Sequence, residues 1–384
     1  MEKLVSSNFK LGLIAGGQLA KMLIQEASKW DITTYVMDND EQCPASTLAS
    51  HLVKGSNTDF ESVYNFGKQV DLLTYELENI NIDALKKLKS EGLKILPDPN
   101  ILELIQDKGR QKEFYAEKNI PTAPFKLYPD LHAIQNAIEE GSITFPFVQK
   151  LRQGGYDGRG VAVIQSATDI HKLLDGASVV EEKVDIDKEI AVITARNANG
   201  EIKCYPVVEM VFDPQANLVD KLICPSAITG EQSERAISIA TEIIDSLNMQ
   251  GLLAVEFFVD KAGEIIVNEA APRTHNSGHH TIESAVTSQF EQHLRSIFDL
   301  PLGSTRLLQP AVMINILGGE GFEGPVKYEG LTESSAIEGV NIHLYGKKIT
   351  RPFRKMGHVT ISSATLEEAL QKADRVKQLI KVKS

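Results

Sequence analysis

Three cysteines in 384 residues leave little scope for covalent or metal cross-links. Cys43, Cys204 and Cys224 are odd in number and far apart. Neither a disulfide framework nor a zinc site is expected, and a reducing cytoplasm is the simplest home. Long apolar runs are missing too: none reaches the ~18 residues that a membrane-spanning helix needs. The stretch MEKLVSSNFKLGLIAGGQLAKM has no long apolar run before a cleavage-like site, so export is not expected. Positive charge is in deficit, with 40 Lys and Arg against 52 Asp and Glu. The net charge of −12 argues against general binding of nucleic acid or anionic membranes. Repeats and low-complexity tracts are absent. What remains is a chain that is 42% hydrophobic and long enough for two or three domains with sizeable cores.

The residues that carry chemistry concentrate between Lys150 and Arg273. The run KLRQGGYDGRG begins at Lys150 and places Gly154, Gly155, Gly158 and Gly160 within seven residues. It lies between an expected strand at 145–151 and another at 161–164. Glycine has no Cβ, so backbone N–H groups can approach a ligand closely and φ can turn positive. Such a connection can cradle phosphate oxygens. Lys150, Arg152 and Arg159 add positive charge. A plain flexible hairpin loop is the alternative.

Residues 251–260 (GLLAVEFFVD) and 264–270 (EIIVNEA) also read as strands. With a two-residue loop at Ala262 and Gly263, Lys261 faces Glu264, Phe258 faces Val267, and Glu256 faces Glu269. Opposed carboxylates repel, so the pattern predicts a cation between them. Oxygen ligands favour Mg2+, which takes one or two carboxylates along with substrate phosphates. Asn268 is a third oxygen ligand beside the pair. A one-residue slip would turn one glutamate to the other face, leaving two solvated acids on a sheet edge.

The N-terminal segment reads as a βαβ unit: a strand at 10–15, a turn at Gly16-Gly17, an amphipathic helix at 18–28 and a strand at 32–37 ending at Asp38. A nicotinamide fingerprint would need glycine at Ala15. Further strands are expected at 51–54, 70–75 and 95–97. Ligands of open α/β sheets gather outside the carboxyl ends of strands, which places Glu76 to touch substrate. Glu78 reads as a helix N-terminal acid favoured by the dipole. One helix is expected from Pro99 to about Lys118. A proline-rich linker at 121–129 leads to a helix at 131–140, strands at 179–184, 190–196 and 203–210, and a helix at 233–248. A helix at 281–298, strands at 311–317, 342–345 and 359–362, and a helix at 366–380 follow. Two polar clusters stand out: Arg273 to His280, and Lys347, Lys348, Arg351, Arg354 and Lys355. Three histidines in six residues raise a transition-metal site, but His279 and His280 are adjacent and the stretch 270–278 reads as a turn.

In chain order, Lys150, the glycine loop, Glu181-Glu182-Lys183-Val184, Glu189, Glu256 and Asn268-Glu269 resemble the ATP-grasp superfamily. Within it, GGYDGRG followed by NEAAPRTHNSGH (268–279) is similar to the 5-(carboxyamino)imidazole ribonucleotide synthase family, the ATP-dependent carboxylases of purine biosynthesis. The likeness runs from about Leu11 to Val359. It implies an α/β fold with an α+β centre: an ATP-grasp domain (99–300) between an N-terminal βαβ, Rossmann-like preATP-grasp domain (1–98) and a small C-terminal domain (301–384). It further implies a carbon–nitrogen ligase that joins bicarbonate to the amine of 5-aminoimidazole ribonucleotide through carboxyphosphate. ATP, two Mg2+ ions and a homodimer come with it.

By the same resemblance, ATP is held by Lys108, Lys150, Gly154, Gly155, Tyr156, Asp157, Gly158, Arg159, Gly160, Glu182, Lys183, Val184, Asp185, Glu189, Asn268 and Glu269. The hinge at Glu182 and Val184 lies near adenine, and Asp185 or Glu189 near the ribose. Glu256, Glu269 and Asn268 are the metal ligands. A solvated lysine is the alternative for Lys108. Gln18, Glu76, Tyr156, Arg273, His275, Asn276, Ser277, Lys348, Arg351, Arg354 and Lys355 fall to the ribonucleotide. Arg273, His275 and Lys150 are the expected catalytic residues. A guanidinium beside Mg2+–ATP can hold bicarbonate in a planar, bidentate way, and the N-E-x-x-x-R spacing resembles the bicarbonate-handling arginine of biotin carboxylases. Arg351 to His358 matches the family's RPxRKxGH and reads as a phosphate-monoester clamp; a solvated basic loop is the alternative. Two positions depart from the family: Ala20 replaces the last glycine of its GGQLG turn, and Phe212 stands where many members carry histidine. The rival readings are a formate-using ATP-grasp ligase on another purine intermediate and a nucleotide-binding module without turnover. Intact Glu256, Glu269 and Arg273 argue against the latter.

Overall fold

The computed structural model describes residues 8–155, 160–213 and 218–384. Its first unit is a five-stranded parallel sheet in the order His51–Lys54, Thr33–Asp38, Lys10–Ile14, Leu72–Tyr75, Lys94–Ile95. Leu11, Leu13, Ile14 and Leu73 are fully buried, as strands covered on both faces require. The strand order reverses beside Lys10–Ile14, and the crevice at that switch point opens between Gly16-Gly17 and Glu76. Two helices absent from the sequence reading, Phe60–Gly67 and Ile82–Ser90, cover this sheet. Their caps are legible afterwards: Asp59 accepts from the Ser62 N–H and Asn81 from the Ala84 N–H.

The helix expected from Pro99 to Lys118 is two helices, Pro99–Gln106 and Lys108–Glu117. Asp107 is extended at φ −109°, ψ 105°, and its carboxylate caps the second helix at the Gly109 and Arg110 N–H groups. The break puts Lys108 at the first residue of a helix that starts at the cleft.

A four-stranded antiparallel sheet follows, in the order Phe125–Tyr128, Ser178–Glu182, Phe147–Leu151, Val161–Ile164. The largest sheet has nine strands. Its main path runs Ile265–Ala271, Gly251–Asp260, Ile186–Arg196, Val208–Asp213, Leu218–Cys224, Ala311–Leu317, Lys355–Ser362, Val340–Leu344, with Ile202–Cys204 paired to Ile186–Arg196. The strand expected at 203–210 is split because Pro206 has no N–H to give the ladder. Leu218–Cys224 escaped the sequence reading, and it is the strand that joins the central strands to those after residue 310.

Helix Gly230–Ser246 buries Ala236, Ile239, Ala240, Ile243 and Ile244 against the large sheet. The expected helix 281–298 is interrupted: Thr281–Ser284 and Gln289–Ile297 are separate, and Ser288 caps the second at the Glu291 N–H. Gln289–Ile297 packs on Gln18–Ser28, and Phe290, Leu294 and Ile297 share a core with Leu19 and Leu23. Burying such side chains contributes roughly 2 kcal/mol each. This seam holds the parallel sheet against the large one and sets the width of the cleft between them. No helix among the described residues is long and apolar enough to cross a membrane.

Candidate active site

A cleft of about 730 Å3 lies where the three sheets meet. Gln18, Glu76 and Glu78 reach it from the parallel sheet. Lys150, Gly155, Val161 and Val163 reach it from the four-stranded sheet, and Glu189, Glu256, Asn268, Glu269 and Arg273 from the large one. The hinge residues Glu182, Lys183, Val184 and Asp185 line it as well, as do His275, Asn276, Ser277 and Lys355.

Glu256 does face Glu269. The loop reading behind that expectation is corrected, however. Phe258 pairs with Ile266 and Phe257 with Val267, one residue away from the two-residue-loop register. Asp260 sets the shift: its backbone N–H donates to Glu264 O, and its Oδ1 accepts from the Ala262 and Glu264 N–H groups, so three residues form the turn. Lys261 pairs with Asp185 at 3.0 Å, not with Glu264. A β-bulge at Asn268 then restores the register before Glu269. A bulge re-aims side chains, and here Asn268 and Glu269 both line the cleft with Glu256.

Burial, then the neighbouring charges of Glu269 and Glu189, pushes the Glu256 carboxyl up. Glu269 moves the other way because the Lys108 ammonium lies against it. Burial also raises Glu189 to about 7. Lys150 donates to Asn268 Oδ1 at 2.8 Å and pairs with Glu181 at 2.9 Å. Glu181 also pairs with Lys112 at 2.7 Å, and Lys112 donates to Thr122 Oγ1. Lys112 and Glu181 are 3% exposed each, and burial lowers Lys112 to about 8. Glu181 entered the sequence reading only within the motif 181–184, and Lys112 did not enter it. The only signal is apolar spacing: in GRQKEFYAE, Lys112 lies on the buried face with Tyr115.

The glycine run is anchored at its base. Gly154 and Gly160 have φ of 77° and 76°, and Leu151 N–H donates to Gly160 O. Tyr156, Asp157, Gly158 and Arg159 lie outside the described residues. Arg152 was expected to add charge to this loop. Its guanidinium instead forms a fork on Asp107, with Nε to Oδ1 at 2.8 Å and Nη2 to Oδ2 at 2.7 Å.

Both acids after Leu72–Tyr75 line the cleft, and the helix-terminal role read for Glu78 belongs to Glu76. Glu76 accepts from the Gly17 and Ala20 N–H groups, so it is the acid at a helix N-terminus, that of Gln18–Ser28. Ala20, the first departure, is fully buried and supplies one of those donors. Glu78 caps no helix: Asn81 caps Ile82–Ser90, and Glu78 pairs with Arg273 at 2.9 Å. His275 Nδ1 accepts from the Ser277 N–H and lies 2.8 Å from Ser277 Oγ, while Nε2 is 3.5 Å from Glu256 Oε1. Arg273 Nε and Asn276 Nδ2 are buried without a hydrogen-bond partner.

Of the basic cluster, Lys355 lines the cleft; Lys348, Arg351 and Arg354 do not. They lie toward the first turn of the parallel sheet. Burial and the charge of Lys348 lower Lys21, which donates to Leu344 O at 2.9 Å. Burial and the charge of Arg351 lower Arg354, and Asp40 acts in the opposite direction. Lys21 thus adds a cation that the sequence reading missed. Phe212, the second departure, forms an apolar wall with Met210, Leu218 and Val219. His279, which lines the cleft, bonds Gln289 and lies 4.8 Å from the His358 ring, and His280 bonds Ser284. Among the described residues no group of three or more His, Cys, Asp or Glu is placed to hold a metal ion.

Comparison with known proteins divides the chain into three matches. The ribonucleotide synthetase preATP-grasp domain matches residues 9–106, the ATP-grasp domain residues 113–290, and the phosphoribosylaminoimidazole carboxylase C-terminal domain residues 311–372. A chloroplastic phosphoribosylaminoimidazole carboxylase of Vigna aconitifolia is 38% identical over 93% of this chain, which spans 64% of that longer protein. The crystal structure of N5-carboxyaminoimidazole ribonucleotide synthetase from Thermotoga maritima is 47% identical, with a TM-score of 0.90 over 98% of this chain and 99% of that one. A synthase from Aspergillus clavatus, solved in complex with ADP and 5-aminoimidazole ribonucleotide, is 30% identical, with a TM-score of 0.88 over 97% of this chain and 99% of that one.

Proposed function

The chain belongs to the N5-carboxyaminoimidazole ribonucleotide synthase family of ATP-grasp enzymes, and from that premise we propose how its own residues carry the reaction. The activity is ATP-dependent carboxylation of 5-aminoimidazole ribonucleotide with bicarbonate, giving ADP, phosphate and the N5-carboxyamino product. One observation carries it: a single cleft gathers an acid pair, two lysines, and the Arg273, His275, Asn276 and Ser277 corner.

Mg2+ fits the donor set. Glu256 and Glu269 are opposed carboxylates with the Asn268 amide oxygen beside them, and burial leaves Glu256 short of compensating charge. Bound there with ATP, the ion would neutralise charge on the phosphates. Lys108 pairs with Glu269 and Lys150 donates to the Asn268 amide oxygen, and both are placed to turn to phosphate oxygens. Bicarbonate oxygen attacks the γ-phosphorus, ADP leaves, and carboxyphosphate results. Arg273 orients the bicarbonate. The ribonucleotide amine then attacks the carboxyl carbon and phosphate leaves. His275, whose Nδ1 lies 2.8 Å from Ser277 Oγ, accepts the amine proton. The imidazolium so formed lies beside Glu256. Lys348, Arg351, Arg354 and Lys21 take the phosphate monoester, with Lys355 at the cleft wall. The enzyme works as a homodimer in the cytoplasm.

The test is ADP release with ATP, Mg2+ and bicarbonate, with and without 5-aminoimidazole ribonucleotide, beside glycinamide ribonucleotide plus formate. Stimulation by the aminoimidazole substrate, lost in Glu269→Gln, is expected. Activity on the formate pair alone would move the chain to the formate ligases, and silence on both would make it a nucleotide binder.

A further inference from the structure

Arg273 is held from two sides before any anion arrives. Its Nη2 pairs with Glu78 Oε1 at 2.9 Å, and its Nη1 donates to Thr274 O at 3.1 Å. Its Nε is buried and has no hydrogen-bond partner. Glu78 comes from the parallel sheet and Arg273 from the end of the large one, so the ion pair spans the cleft that both residues line. The Glu78 backbone is fixed too: its carbonyl accepts from Gln106 Nε2 at 2.5 Å and from the Ile80 N–H at 2.8 Å. Gln106 ends the helix before Asp107 and Lys108, so one short segment sets both Glu78 and the lysine on Glu269.

An arginine has five N–H donors in a rigid plane, and fixing two of them fixes the direction of the rest. We propose that Glu78 is a positioning residue for the bicarbonate step: its ion pair with Nη2 sets the plane and direction of the Arg273 guanidinium that bicarbonate meets in the cleft. This rests on the bicarbonate role given to Arg273 above. Glu78 itself touches no reacting atom. It acts through Arg273, and it makes bicarbonate capture depend on the parallel sheet being docked.

The experiment measures KM for bicarbonate, ATP and 5-aminoimidazole ribonucleotide, with kcat, in the full-length wild type, Glu78→Gln and Glu78→Asp. Loss of one charge-assisted hydrogen bond to the arginine predicts a rise of roughly tenfold or more in KM for bicarbonate in Glu78→Gln. KM for the other two substrates stays near the wild-type value, and Glu78→Asp, which keeps the carboxylate, recovers part of the loss. A parallel rise in all three KM values would show Glu78 merely gluing the sheets together and would overturn the proposal. A rise confined to the ribonucleotide would make it a substrate contact and would do the same. Unchanged constants in an active Glu78→Gln would sink the positioning role alone. A wild type that shows no bicarbonate-dependent turnover would remove the functional reading beneath it.

Discussion

Glu256 stands directly opposite Glu269, although the turn joining their strands is one residue out of the register that would put them there. The bulge at Asn268 absorbs the difference. The paired acids therefore depend on one inserted residue, not on the hairpin loop. Shifting that register should matter more than changing the Asn268 side chain. Inserting one alanine after Asn268 moves Glu269 one position along the strand and turns it away from Glu256. We expect Mg2+-dependent ADP formation to fall below detection in the insertion. Asn268→Ala should keep measurable activity, because both carboxylates stay on the cleft. Equal loss in the two variants would be evidence against the bulge as the deciding feature.

The acid cluster should leave a mark on stability. Glu189 titrates near 7 in the folded state and near the ordinary glutamate value when unfolded, and Glu256 is raised in the same direction. The folded protein then binds more protons than the unfolded one across the window from about 4.5 to 7. Stability from these groups is present below that window and is lost as pH rises through it. Without Mg2+ and nucleotide, the Tm difference between Glu189→Gln and wild type should therefore shift in favour of the variant from pH 5 to pH 8. A constant difference would contradict the raised carboxyl.

Lys112 and Lys150 share one buried partner, Glu181. Lys112→Met leaves Glu181 with a single cation in a dry site. Breaking a buried pair from one side costs about 3–5 kcal/mol, and the lower end is expected because Lys150 remains. The double variant Lys112→Met with Glu181→Gln should recover a measurable part of the lost stability in urea denaturation. A double variant less stable than the sum of the two single changes would reverse this reading.

Asp107 does two jobs, capping the helix that begins at Lys108 and gripping Arg152 at the base of the glycine run. Loss of the cap alone costs about 1 kcal/mol. Asp107→Ala should cost more than that and should raise KM for ATP, since Lys108 and the loop base both lose their anchor. KM for bicarbonate should stay level. Tm and the separate KM values test this together.

Arg354 belongs to the cluster that faces the first turn of the parallel sheet, not to the cleft wall. Arg354→Ala should raise KM for the ribonucleotide roughly tenfold, the scale of one charged hydrogen bond. The constants for ATP should not move. An equal effect on ATP would transfer the residue to the nucleotide side.

The chemistry was legible where neighbours in sequence are neighbours in space. The glycine run, the alternating strands Gly251–Asp260 and Ile265–Ala271, and the polar stretch from Arg273 to Ser277 each announce themselves within a dozen residues. What escaped was pairing across the fold. Glu76 and Glu78 lie two apart, and local rules gave the helix-terminal role to the wrong one of them. Only the approach of helix Gln18–Ser28 to one, and of Arg273 to the other, decides which acid does what. Lys112 was invisible because a lysine is ordinarily solvated, and nothing near it in sequence reveals Glu181 against it. The break at Asp107 was missed because helix propensity runs on through the segment, while the carboxylate's better partners are the N–H groups it caps and Arg152.

The sequence by itself determined many of the strands and helix faces, the acid residues and the family, because these follow from short-range periodicity and from motifs whose spacing is chemical; it did not show the strand Leu218–Cys224 or the helices Phe60–Gly67 and Ile82–Ser90. Tertiary structure alone decided which charges meet. Lys108 on Glu269, Lys150 between Asn268 and Glu181, and Glu78 on Arg273 join residues from 31 to 195 positions apart, by subtraction of the paired numbers. At 31 positions even the nearest of these contacts, Lys150 with Glu181, lies beyond any helical or hairpin period. Coulomb attraction in a buried cleft is strong only at contact distance, and contact between such distant residues is a property of packed sheets, not of the order of the chain.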